Sequence, residues 1–596
     1  MLGSNMEEFI AAGSRLLYAG SGRLWLVDQA RGRVMEAPEK AGPVLRVADR
    51  FRTVAEHRRA LLEAGWQDDG SGSIDALLDS LVRSGALRSR SEVLHRILEV
   101  PPEPPPPPIS ALTWVTRDRP QLLRRSVESA IANLRLHGRR VDLKVYDDSG
   151  DARARQGTRA MLVELGRREG FAVHYAGAEE KREFAAALQA RADGVAGEAV
   201  EFALFDPLAL GYTPGANTNA VLLDSCGQLI VHADDDTVFR FASLPEAGAG
   251  LRFSSAADPT EVRFSAAVEL RDADILAAHE ALLGRAVADC LRRNDAAADF
   301  DPVSPELLPR LEAGAGVAVT MVGVCGDSGL GSAQFVLWLG GASRELAWRS
   351  ERHYREALDG REILRAADRP TLGSSAFLMS MHLGLDNRLA LPPFLPVLRN
   401  GDGLFGQLLK QGRPSALTGY LPLAIAHLPA EARSAAGVGL WRGRTRAADL
   451  LASLFGHTLR AGACRSLEQE WRSLGEQLAA VALLPAREFQ ALVRQAWTGS
   501  LSGNILALEQ ILEEQGDRPD YWATDARVWI RGAQEAVSAL GPLIPEDLPW
   551  EDSADEVAAR WQQLVHRFGK LLQQWPAIRE AAGELAREGR RLARPL

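Results

Sequence analysis

Between residues 109 and 240, short apolar runs alternate with helical stripes. Residues 109–115 and 141–146 read as strands. Residues 120–134 read as a helix, with Leu123, Val127, Ala130, Ile131 and Leu134 on one face. Residues 172–175 read as a third strand. The run before Asp234 is a further strand, apolar throughout, as a strand covered on both faces must be. Alternating β and α predicts a parallel sheet with right-handed crossovers. Two of these strands run straight into acids, at Asp147-Asp148 and at Asp234-Asp235-Asp236. In one parallel sheet both acidic ends fall on the same edge, and ligands bind beyond that edge.

Residues 6–98 have another rhythm. Strand-like runs at 15–19, 23–28 and 34–36 are split by Gly20-Ser21-Gly22 and Arg31-Gly32-Arg33, which predicts a three-strand meander. Helices follow: Thr53 and Glu56 have capping-box spacing, and Ile74, Leu77, Leu78, Leu81 and Val82 form an apolar stripe. Residues 99–108 are nearly all proline, an extended polyproline II spacer and the clearest domain boundary. The third unit spans 109–430. Within its 241–370 segment, residues 262–270, 317–324 and 333–339 look like strands. The glycines of 323–332 match no phosphate-loop pattern and read as a flexible loop. Residues 431–596 carry amphipathic helical stripes, such as Val557, Trp561, Leu564, Val565, Phe568, Leu571, Leu572 and Trp575. They predict a helical bundle. Its tryptophans are mostly core, a minority being assigned to an acceptor or homodimer surface.

At 596 residues with 46% hydrophobic and 25% charged positions, the chain has ordinary globular composition. A net charge of −9 argues against bulk nucleic-acid binding; the arginines at 587, 590, 591 and 594 read as a solvated helix face or tail. Four scattered cysteines give neither a zinc pattern nor a disulfide framework, which fits a cytoplasmic setting. No apolar run is long enough for a membrane span, and the first residues lack a signal-peptide layout.

Three aspartates at a strand end repel one another unless a cation is present. Hard divalent ions take carboxylate oxygens together with substrate phosphates. The stretch is therefore either a metal site for a phosphorylated substrate or an acidic surface turn. The order of motifs bears on the choice. Strand-Thr116-Arg117-Asp118-Arg119-Pro120, strand-Asp147-Asp148-Ser149, Gly215-Ala216-Asn217-Thr218-Asn219-Ala220 and the Asp234-Asp235-Asp236 strand together resemble a family 2 glycosyltransferase of GT-A fold. The resemblance covers about 109–430, most clearly 109–240. It implies an α/β fold with a Rossmann-like, mostly parallel sheet, flanked here by a small N-terminal α+β domain and a C-terminal α-helical domain. The first 95 residues resemble a winged-helix peptide-recognition domain of the kind found in pyrroloquinoline-quinone biosynthesis and in other enzymes that modify ribosomally made peptides. In that family a leader peptide adds as a strand beside the meander.

The resemblance implies roles. Thr116, Arg117 and Asn219 belong to the donor nucleotide site. Asp147 or Asp148 accepts from the base imide of a uridine or similar donor, so a UDP-sugar is the leading donor. Asp234 and Asp236 are the metal acids of a DXD motif, with Asp235 at the donor and pointing the opposite way if the chain stays extended. The cation is Mn²⁺ or Mg²⁺, a Lewis acid for the diphosphate. A late histidine, His427, completes its shell. Gly373 to Ser380 resembles a pocket-lining segment. Asp402, at a predicted helix start where the dipole keeps it ionised, is the general base or else only the helix cap. Gly439-Leu440-Trp441-Arg442 is placed to close over the donor. The implied reaction moves a sugar from a nucleoside diphosphate sugar to a peptide or glycan acceptor. The layout is similar to glycosyltransferases of glycosylated bacteriocins. Two departures, Thr218 where the family has arginine and Gly401 where it has glutamate, keep open an inactive scaffold that delivers a peptide to partner enzymes.

Overall fold

A computed structural model describes every residue other than 1–6, 14, 21, 29–31, 67–72, 193, 195–196, 265–267, 295–296, 301, 313, 331, 413–414, 432–444, 460–466, 515–517, 540 and 550–552. The segment 439–442 therefore lies outside the described residues. Among the described residues, no helix is long and apolar enough to cross a membrane.

One large sheet organises the molecule. From the middle outward, Leu229–Asp234 pairs in parallel with Ala111–Thr116, then come Asp142–Asp147 and Val173–Ala176, also parallel. Register places Asp234 opposite Val115 and Thr116 opposite Asp147, so both acidic strand ends do share one edge. Pro120–Leu136 follows the first strand with Pro120 at its first turn, and buries Leu123, Val127, Ala130, Ile131 and Leu134 on the sheet. Arg594–Pro595 pairs antiparallel with the outermost strand.

The other half corrects the expectation of a mostly parallel sheet: the sheet is mixed. His382–Asp386 runs antiparallel to both Leu229–Asp234 and Gly316–Asp327. Gly316–Asp327 is in turn parallel to Ala416–His427. These strands are buried on both faces, so they are apolar throughout in either direction, and the sequence carries no sign of orientation. Residues 334–338 also differ from expectation. They form a 3-10 turn, Gln334–Trp338, rather than a strand. Short apolar runs do not distinguish the two. Here the run is held by helix contacts: Trp338 packs edge-on to Trp529 at 4.8 Å, and Trp522 Nε1 donates to Leu337 O at 3.3 Å. Of the expected 262–270 strand, Glu261–Phe264 forms.

The flanking regions are joined to this sheet. The meander Arg15–Gly20, Arg23–Asp28 and Arg33–Pro38 forms as expected, and Thr53 makes its capping box with Glu56. Yet Ile10, Val93 and Ile97 belong to the same apolar core as Trp114 and Leu308, and Arg88 pairs with Glu312. The proline run is mostly exposed but tacked down, with Glu103 N donating to Asp289 Oδ2 at 3.2 Å. The C-terminal helices are likewise not a free-standing bundle. Ala554–Arg587 buries Trp561 and Trp575 in a core continuous with the sheet, and Trp575 Nε1 donates to Leu391 O at 2.8 Å. Arg591 is not a solvated tail residue either, because it donates to the carbonyls of Asp224 and Cys226.

Candidate functional site

Beyond the parallel strand ends lies a cleft of about 520 Å³. Thr116, Arg117, Asp148, Asp234, Asp235, Asp236, Asp402 and His427 all line it. Topology explains the convergence of such distant residues. Thr237–Ala242 turns back and pairs antiparallel with Ala416–His427, with Thr237 opposite His427, so the late histidine lands on the acidic turn. The start of the His382 strand closes the other side, where Asp234 N donates to Met381 O at 3.0 Å.

Asp235 departs from the expected outward orientation. The backbone turns at Asp235-Asp236 rather than staying extended, so all three acids face the cleft. Asp235 accepts from Thr116 Oγ1 at 2.7 Å, and the half-exposed Arg119 stands 3.4 Å from Asp235 and 3.5 Å from Asp236. This cation does not balance the cluster. Burial, reinforced by Asp236 and Asp235, pushes the Asp234 carboxyl up to about 7. Burial, with Asp236 nearby, pushes Asp235 up to about 6 against the pull of the Thr116 and Arg119 hydrogen bonds.

His427 is oriented as a ligand would be. Its Nδ1 donates to Asp327 O at 2.5 Å, which leaves Nε2 facing Asp236 Oδ1 at 3.3 Å. A lone pair facing a carboxylate needs a proton or a cation between them. Burial opposes protonation of His427, but the hydrogen bond and charge of Asp236 outweigh it and raise the imidazole. Asp327 is itself fixed by a two-pronged Arg361 pair at 2.8 and 2.9 Å. Among the described residues, no three such side chains are already gathered around one point as a finished metal site. The donor set of carboxylates plus one pre-oriented imidazole nevertheless fits Mn²⁺ or Mg²⁺. Asp234, Asp236 and His427 would hold it.

Two expected nucleotide residues play other parts. Asp147 is fully buried and turned away: it accepts from Ser149 N at 2.8 Å and Tyr175 OH at 3.0 Å. Asp148 faces the cleft, but its carboxylate is already engaged by the buried Lys181 at 2.6 Å and by Thr213 Oγ1. Asn219 does not line the cleft. It clamps Phe394, accepting from its N–H at 2.8 Å and donating to its carbonyl at 3.0 Å, and also donates to Ala203 O. A side chain at Gly215 would meet Leu395 O at 1.8 Å. The Gly215-to-Ala220 segment is therefore a backbone lock for residues 394–396, while Gly215, Asn217 and Thr218 also line the cleft.

That lock positions Asp402. Leu398 and Asn400 hold left-handed backbone (φ 68° and 64°), and the helix Gly401–Gly412 starts at once afterwards. Asp402 accepts from Gly403 N at 3.0 Å and Ser380 N at 3.3 Å. Burial outweighs these bonds and raises its carboxyl above the ordinary carboxylate value. Asp118 and Ala209 are the other non-glycine residues with positive φ among those described, and Asp118 also lines the cleft. Such strain gathers at sites where function constrains the backbone.

Sequence reasoning missed Lys181, Tyr212, Arg446 and Glu546, and read Arg399 only as the start of the segment that carries Asp402. Lys181 reads as an ordinary polar helix position, and nothing local marks the others. Arg119 sits inside a quoted motif, but its spacing gives no hint that it reaches Asp235. No protein-family model matches the chain, and a search of curated proteins finds no match in sequence.

Proposed function

We propose that the chain is a metal-dependent glycosyltransferase that moves a sugar from a nucleoside diphosphate sugar to an acceptor. One observation carries the reading. An acid turn, a pre-oriented histidine and a carboxyl with raised proton affinity, spread from Asp234 to His427, line a single cleft at the carboxyl ends of parallel strands. That is where α/β sheets bind nucleotides. Asp234, Asp236 and His427 would hold a divalent ion, which would supply Lewis-acid stabilisation of the diphosphate leaving group. Thr116 and Arg119 hold Asp235 in place. Arg119 takes up the cationic contact that Thr218 lacks, since the Thr218 hydroxyl bonds back to Pro214 O. Asp402 receives the acceptor proton, a role for which a carboxyl with raised proton affinity is suited. The N-terminal meander keeps Leu17, Trp25 and Val34 in solvent, an apolar strip that suits a peptide acceptor added beside it.

The test is release of nucleoside diphosphate from a panel of nucleotide sugars with Mn²⁺. Turnover should fall about a thousandfold in Asp234→Asn and Asp236→Asn, an effect of roughly 4 kcal/mol on the barrier. Absence of both binding and turnover with every donor would sink the enzyme reading and favour the scaffold.

A further inference from the structure

Tyr212 is a large aromatic side chain left 37% exposed inside the cleft. The Arg399 guanidinium lies over its ring, 4.8 Å from the centroid. Arg399 is exposed, and among the described residues its guanidinium pairs with no carboxylate. The two side chains come from segments that are stitched together. Leu398 N donates to Tyr212 O at 2.8 Å, and Ala216 N donates to Pro396 O at 2.8 Å. The Tyr212 segment is pinned from the far side by Arg117, whose Nη1 donates to Gly211 O at 2.7 Å. The next residue, Thr213, donates to Asp148. The ring therefore stands on a braced backbone at the Asp148 end of the cleft, within electrostatic reach of Arg119.

We infer that Tyr212 and Arg399 form a clamp for a planar heteroaromatic ring, the base of a nucleoside diphosphate. The inference rests on the nucleotide reading above and assigns it a base-recognition element. Base rings stack on tyrosine faces and on guanidinium planes alike. A base entering over Tyr212 takes the ring face that Arg399 covers, and Arg399 moves onto the base. Asp148 is already held by Lys181 and Thr213, so stacking rather than a free carboxylate carries most of the base affinity. The clamp also shares its backbone with the strained turn before Asp402, so an occupied clamp steadies the segment that places the acceptor-side acid.

Calorimetric titration of the full chain with Mn²⁺ plus UDP, CDP, GDP, ADP or inorganic pyrophosphate tests the inference. The preferred nucleoside diphosphate should bind at least about tenfold more tightly than pyrophosphate. Tyr212→Ala should erase most of that preference and leave pyrophosphate binding unchanged. Tyr212→Phe should keep the preference to within about twofold, and Arg399→Gln should reduce it in part. Equal weakening of both ligands in Tyr212→Ala would make the tyrosine a structural residue and overturn the clamp. An intact preference in that variant overturns it too. A wild-type chain that binds pyrophosphate as tightly as every nucleoside diphosphate overturns the clamp but leaves the metal site standing. A wild-type chain that binds none of these ligands overturns the nucleotide reading, and the clamp with it.

Discussion

Two strand ends carry the same signal, a run of apolar residues followed by aspartates, and the fold treats them in opposite ways. At Asp147-Asp148 the charge is settled internally. Asp147 takes hydrogen bonds from Ser149 and Tyr175, and Asp148 is paired with a lysine that is itself buried. At Asp234-Asp235-Asp236 the pairs with Arg119 are long, and that arginine is half-exposed. Two of these carboxyls are pushed toward neutrality by burial and their acidic neighbours. A buried carboxylate with its own close cation is a structural part. A buried cluster that outnumbers its cation is, on the function proposed above, where an incoming one would sit.

The comparison can be broken at either end. The largest stability effect should come from Lys181→Met, which leaves Asp148 without its lysine. Unfolding in denaturant should show a loss of about 3 kcal/mol, and a loss below about 1 kcal/mol would mean that Asp148 is not settled by this pair. Next in size is the response to metal. Mn²⁺ at about a hundred times its dissociation constant should stabilise the wild-type chain by about 2.7 kcal/mol. The gain should survive in Asp147→Asn and vanish in Asp236→Asn; a gain equal in both variants would refute the division of labour. The smallest effect is on pH dependence without metal. Asp234 and Asp235 hold protons up to about 7 and about 6, above the ordinary carboxylate range near 3.9. Between those values the folded chain binds more protons than the unfolded one, so their contribution to stability is full at low pH and is lost as pH rises toward 7. The slope should be at most about 1.4 kcal/mol per pH unit for each group. Thermal unfolding in chelator from pH 4.5 to 7.5 should show it as a difference between wild type and Asp234→Asn that changes with pH, and parallel curves for the two would refute it.

Much of this layout is legible in the residues themselves. Strand-acid periodicity locates Asp148 and Asp234, and the three-strand meander follows from its glycine turns. The shared edge of the two acidic ends follows from the parallel alternation alone. Strand direction is not legible, because Gly316–Asp327 and Ala416–His427 are apolar on both faces whichever way they run. Side-chain aim is equally hidden. Asp147 and Asp148 are adjacent and chemically identical, and only the pleat decides which one meets the cleft. Asn219 reads as a ligand contact because it sits in a run of small residues that resembles a donor motif. Its amide is spent on Phe394, a partner 175 residues away that no local pattern announces. The tryptophan stripes of the C-terminal helices mark them as mostly core, but say nothing of the core they join, which is the sheet's own.

The cleft wall runs from Val115 to Glu546 along the chain. On a ribosome adding about 5–20 residues per second, roughly twenty seconds to a minute and a half separate the first of those residues from the last. Through that interval the acid turn has been made but the segments that complete the enclosure have not. Arg446, Asp449 and Glu546 thus join a wall whose acid turn, Asp402 and His427 are already in the chain.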